Sequence, residues 1–335
     1  MRLVVFVMLL FCTSLFAQVG GSKTYQFLDL LPSPRHMSLG TWVTTLSPQS
    51  IHASLVNPAQ VSDSIRGQMT INYQPYFAGI NRGTAAVAIG LNESHSILVD
   101  SRFVHYGTFD SRDVYAQKIG EFSGNEVAFG IAYSYQIPAK NLSVGARLNL
   151  ISSTLADYHS MGWSADLGLY YTSQSSQYRY ALVARNIGAQ ITTYDAVSEN
   201  LPFSVSFGIS NALEYLPLRW HLSIDSLQRW DLFYHNTNQQ QRDLEGNLIV
   251  EGSTFIDEFI RHLAFGAELF PDRPFSIQAG YNFLRSAELS ISEIRSFSGL
   301  SFGFGINLRK FKFNFGHARL SAAGSTNYLG LTFVP

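Results

Sequence analysis

Leu300-Ser301-Phe302-Gly303-Phe304-Gly305-Ile306-Asn307-Leu308 alternates without a break, apolar at every even position and small or polar at every odd one. Successive side chains of an extended chain point to opposite faces, so a period of two makes a strand with one oily and one wet face. The same alternation runs from Phe275 to Phe283, from Phe203 to Ile209 and from Val127 to Tyr135. Its recurrence along the chain predicts an all-β fold, a transmembrane antiparallel β-barrel of about 14 strands.

The N-terminus agrees with export. Residues 1–17 read as a signal peptide, with Arg2 as the positive end, an apolar run from Leu3 to Phe11, and Ala17 before Gln18 as the cleavage point. Phe11 stands where a lipoprotein signal would place a small residue before Cys12. Cys12 is the only cysteine, so a processed chain has no disulfide framework and must draw stability from strand pairing and burial. After the leader, no apolar run reaches the roughly 18 residues of a membrane-spanning helix, whereas a barrel strand needs only about 9–11. Charged residues make up 14% of the chain, low beside the about 25% of soluble domains, while 25 phenylalanines and 17 tyrosines are plentiful. A lipid-facing wall excludes charge and favours aromatic rings at its interfaces. The net charge of −1 provides no basic face for a nucleic-acid partner.

Three regions follow: the signal at 1–17, an N-terminal extension at 18–66, and the outer-membrane β-barrel at 67–335. Connections after even-numbered strands are predicted to be short turns, at residues 92–94, 137–140, 173–176, 214–217, 271–274 and 309–310. Several after odd-numbered strands are predicted to be long loops, at 107–123, 189–202 and 230–259. Outer-membrane barrels divide their loops in this way, with the short turns periplasmic. The extension carries the apolar cluster Phe27, Leu28, Leu30 and Leu31, ended by Pro32 and Pro34, and a short helix is expected over residues 49–55. It is too apolar for a linker and is expected to pack in or against the lumen as a plug.

Asp100, Arg102, Arg147, Asp166, Arg185, Arg219, Asp225 and Glu268 all fall on the polar face of their strands. There they would point into the lumen and pair across neighbouring strands. The nine histidines show no metal-ligand spacing, and no glycine-rich phosphate loop is present, so no metal or cofactor is expected. His221, Ser223 and Asp225 form the nearest approach to a hydrolytic triad. They share one face of one strand at about 7 Å per step, too far for direct hydrogen bonds, and no catalytic role is expected. Trp230 and Asp231, with Phe255 and Phe259 on a possible short amphipathic helix, are the candidate partner-binding residues of the longest loop.

The chain resembles the PorQ family of outer-membrane proteins of the type IX secretion system in Bacteroidetes, a group related to PorV and the FadL-like barrels. The resemblance begins at Gly20-Gly21-Ser22-Lys23-Thr24-Tyr25-Gln26-Phe27-Leu28-Asp29-Leu30 and continues through Pro34-Arg35, Leu39-Gly40 and Asn57-Pro58-Ala59. Further pieces are Tyr76-Phe77-Ala78-Gly79-Ile80-Asn81, Tyr106-Gly107-Thr108-Phe109, Gly120-Glu121-Phe122-Ser123, Asn186-Ile187-Gly188, Leu201-Pro202-Phe203, Trp230-Asp231-Leu232 and Arg261-His262. Phe27, Leu39, Gly40, Asn57 and Pro58 carry the N-terminal family motif. Thr41 departs from the second glycine common after Leu39-Gly40, and Val334-Pro335 follows Phe333 where barrels often end on an aromatic residue. The resemblance implies a non-enzymatic anchor or scaffold of the cell-surface attachment complex. A PorZ-like surface protein, PorU and PorV would be its protein partners, in contact with outer-membrane lipid and lipopolysaccharide. The alternative is a FadL-like transporter of hydrophobic small molecules.

Overall fold

The computed structural model describes residues 23–138, 140–173, 177–195, 197–232, 254–289, 298–321 and 324–335. The expected signal peptide lies outside them, as do residues 233–253 of the longest loop.

Fourteen antiparallel strands close on themselves as an outer-membrane β-barrel, each beside its sequence neighbours and the first beside the last. They are β1 (Met69–Pro75), β2 (Asn81–Gly90), β3 (His95–Arg112), β4 (Lys118–Ile137), β5 (Leu142–Leu155), β6 (Tyr158–Thr172) and β7 (Tyr178–Thr192). The second half is β8 (Ser204–Ala212), β9 (Leu218–Ile224), β10 (Leu263–Leu269), β11 (Phe275–Asn282), β12 (Leu300–Asn307), β13 (Phe311–Ser321) and β14 (Gly324–Phe333). Closure runs through the pairing of Met69 with Phe333 and of Tyr73 with Leu329. It leaves no unpaired sheet edge, which a bilayer requires.

The alternation fixes which way each strand faces. Phe302 pairs with Ala279 and His317, while Ser301 pairs with Gly280 and Ala318, so outward and inward residues align into separate rows around the wall. Ile71, Phe129, Ile131, Leu150, Phe302 and Leu331 are exposed on the outside as a band for lipid, and the intervening polar side chains are buried inside.

The N-terminal segment packs against this inner face. It holds a 3-10 turn at Gln26–Asp29, α1 (Pro34–Ser38), α2 (Ile51–Ser54) and a 3-10 turn at Pro58–Gln60. Ser33 caps α1, its hydroxyl accepting from the His36 backbone, with Pro34 at the first helical position. The helix expected at 49–55 is thus present but is a single turn.

Three expectations about the outer rim are corrected. Residues 107–123 are not a long loop: β3 runs to Arg112 and β4 starts at Lys118, making a tall hairpin whose tip is residues 113–117. The connection expected at 230–259 starts earlier, since β9 ends at Ile224 and backbone pairing passes to single bonds such as Asp225 N–H to the His262 carbonyl. Phe283 begins a helix, α4 (Phe283–Glu288), capped by the Asn282 side chain, rather than ending β11 in extended form. The amphipathic stretch is α3 (Phe255–Arg261).

Candidate functional site

A barrel's width grows with strand number: about eight strands can be filled by their own side chains, whereas about 16–18 leave an aqueous channel. At 14 strands the wall needs a filler. Phe27 and Leu28 join Val104, Ala128 and Ile151 of the wall in one buried cluster. Ile51, Leu55, Val61 and Ile65 join Ala86, Ala88, Leu98 and Ala132 in another.

Close approach is bought with glycine. A Cβ on Gly168 would stand 2.1 Å from the Asn57 Oδ1, and one on Gly280 would stand 2.1 Å from the Leu39 carbonyl carbon. Leu39, Gly40, Asn57 and Pro58 therefore sit where the segment touches the wall. Asn57 accepts from the Ala59 backbone N–H at 3.0 Å and donates to the carbonyls of Thr44 and Leu169, and Pro58 lies over Gly145. Gly40, at φ 87°, turns the chain against Ser301 and Tyr281. Thr41, the departure from the second glycine, donates its hydroxyl to Asp225.

The inward charges meet as their placement on the polar face required. Arg147 lies 3.1 Å from Asp100 and 3.6 Å from Asp166, and Arg219 lies 3.5 Å from Glu268. What the strand pattern could not show is how far these groups serve the N-terminal segment. Arg147 donates to the backbone carbonyls of Leu55 and Ser54 at 2.9 and 2.6 Å, and Arg102 donates to Leu55 at 2.9 Å. Arg35 clamps Glu268 with two bonds of 2.8 and 2.9 Å. The Arg185 guanidinium lies 3.8 Å from the centre of the Trp42 ring. His221, Ser223 and Asp225 belong to this inward set: His221 faces Glu268 at 3.6 Å and Asp225 accepts from Thr41.

The wall is thinned between β7 and β8. Pairing of β7 with β8 ends at Arg185 and Ser204, while β7 continues to Thr192 paired only with β6. Asn186, at φ 58°, marks the departure, its side chain donating to the Pro202 carbonyl at 3.0 Å. The opening holds a cavity of about 520 Å³ lined by Ile187, Leu201 and Phe203 together with Lys23, Asn200 and Gln228. A parallel bridge joins Lys23 to Asn200 there.

The outer rim carries two built features. In the β3–β4 hairpin, Phe109 stacks on Phe122 at 5.4 Å, and Asp110 pairs with Arg112 and Lys118, each at 2.8 Å. Asp110 and Glu121 together raise the Lys118 ammonium above its ordinary value. Val114 and Tyr115 project from the tip almost wholly exposed. At the end of β9, Trp230 stacks on Phe255 at 4.9 Å and on Phe259 at 6.4 Å, so the structure brings three of the four candidate partner residues together. Asp231, the fourth, follows Trp230 directly in the chain. Thr254 caps α3 in a reciprocal capping box, and its hydroxyl and backbone N–H hold the Asp257 carboxyl below its ordinary value.

The sequence matches no family profile and no curated protein. Solved structures of the same fold are found. The Pseudomonas putida toluene transporter TodX is similar at a TM-score of 0.55 and 12% identity, covering 91% of this chain and 97% of that one. A Pseudomonas aeruginosa FadL homologue is similar at a TM-score of 0.52 and 10% identity, covering 90% of this chain and 98% of that one. With both, the chain shares the architecture of a closed outer-membrane barrel.

Proposed function

We propose that this barrel acts as an outer-membrane anchor that presents its outer rim to a surface partner, in the manner the PorQ resemblance implies, rather than conducting through its lumen. The observation that carries this reading is the interior itself: the N-terminal segment is held to the wall by the Arg35–Glu268 ion pair and by Arg102 and Arg147 donating to its backbone carbonyls. Fixed charges committed to one segment suit a permanent seal. The rim features then supply the working surface, with a PorZ-like protein as the docked partner and PorU and PorV as further members.

The test separates folding from docking. Replacing residues 107–123 and 230–259 by short Gly/Ser turns should leave a heat-modifiable barrel in the membrane, because the strand ladder and its lipid-facing band carry the stability and segments beyond them add mainly closure entropy that grows slowly with length. Recovery of the surface partner with the barrel should be lost. Full recovery with both segments shortened rejects rim docking.

A second reading, transport of hydrophobic small molecules, is favoured by the opening between β7 and β8 and by the fold shared with TodX and the FadL homologue. The fold likeness supports this reading rather than the first. Uptake of a radiolabelled monoaromatic or long-chain fatty acid by cells making the barrel, above that of cells lacking it, would establish it; equal uptake removes it.

A further inference from the structure

The helix α3 is amphipathic the wrong way round for a surface helix in water. At about 100° per residue, Phe255, Phe259, Ile256 and Ile260 fill one arc, and Asp257, Arg261 and Glu258 fill the other. A helix docked on a soluble core buries its apolar arc. Here all four apolar residues are exposed, Phe255 at 70% and Ile256 at 67%, while Glu258 is buried and accepts from the Leu232 backbone N–H at 2.9 Å. Of the polar arc, Glu258 is thus tied to Leu232 beyond the end of β9 and Asp257 to its own helix cap, while the whole apolar arc is exposed.

We propose that α3 is a lipid foot, its apolar arc seated in the outer leaflet beside β9 and β10. The argument for lipid as the occupant is continuity with the face the barrel already gives to the membrane. From Ile260 the chain passes directly into β10, whose outward residues Leu263 and Phe265 pair with the outward Ile224 and Leu222 of β9. Trp230 extends the patch through its stacking on Phe255 and Phe259, and indole rings concentrate at the headgroup level of membranes. This inference rests on the outer-membrane location, and it takes the Trp230–α3 patch out of the surface offered to a protein partner, leaving that role to the β3–β4 hairpin.

Its test uses the full chain with Cys12→Ser, which leaves no native cysteine. Ile256→Cys, Phe259→Cys and Asp257→Cys are each spin-labelled and the barrel is placed in lipid nanodiscs. Collision with molecular oxygen, which dissolves in lipid, is compared with collision with a water-soluble nickel chelate. Phe302→Cys on the lipid-facing wall and Val114→Cys at the hairpin tip serve as lipid and water references. Ile256 and Phe259 should give an oxygen-to-nickel ratio like that of Phe302 and severalfold above that of Val114, with Asp257 near Val114. A ratio at Ile256 and Phe259 equal to that at Val114, in a barrel of normal heat-modifiable mobility, overturns the proposal and returns the patch to protein docking.

Discussion

Glu268 shows how much a single inward side chain decides in this barrel. Fully buried, it accepts both bonds of the Arg35 fork and faces Arg219 and His221. Removing one partner of such a set leaves the others as uncompensated buried charges, which costs about 3–5 kcal/mol, whereas an exposed surface pair is worth about 0–1 kcal/mol. Glu268→Ala should therefore lower the temperature at which the folded band converts on a heat-modifiability gel. Asp110→Ala, in the exposed cluster of the β3–β4 hairpin, should leave it near wild type. Equal midpoints for the two variants would show that the Arg35–Glu268 clamp does not hold the segment. Glu268 was legible from the sequence as a lumen charge because the strand period placed it there. Arg35 was not, because it belongs to a helix of five residues with no period long enough to read.

At the scale of the element, the two faces of β12 make opposite demands. Phe302 is exposed to lipid, and an arginine near the bilayer midplane of a barrel costs about 2–4 kcal/mol, so Phe302→Arg should reduce the folded fraction while Phe302→Leu does not. Equal folded fractions for arginine and leucine would mean that this face is not in the membrane. The inner face is not the permissive one that alternation alone implies. Ser301 donates to the carbonyls of Ser38 and Gly280, and Gly303 has Ser38 against it, so even small additions there meet the N-terminal segment. Strand positions, strand number and the short turns were readable because pleating imposes one period on them all. The outer rim was not: residues 107–123 mix polar, glycine and aromatic residues, and a hairpin standing clear of the bilayer has no oily face to enforce alternation. The opening beside β7 also left no trace, since it follows from pairing that stops at Arg185 rather than from residue type.

For the whole molecule, wall and filling are separable. The wall closes through β1, paired with β14 on one side and β2 on the other, and the bonds that extend this seam from Gly67 and Gln68 to Ala88 lie outside residues 23–66. Deleting residues 23–66 would wet the apolar patch around Val104, Ala128 and Ile151, a loss of roughly 25 cal/mol for each Å² of apolar surface re-exposed. It would also return Asp100, Arg102, Arg147, Asp166, Arg219 and Glu268 to water, relieving the desolvation that burial imposes on each ion. The truncated barrel is therefore expected to fold, heat-modifiable but less thermostable, and to enclose a charged aqueous lumen. Planar-bilayer recordings should then show stepwise conductance that the full chain lacks, and mixed lumen charge should give it little preference between anions and cations. A truncated barrel that folds and yet stays silent would mean that the side chains of the wall alone close a 14-strand lumen, and the N-terminal segment would lose its role as the seal.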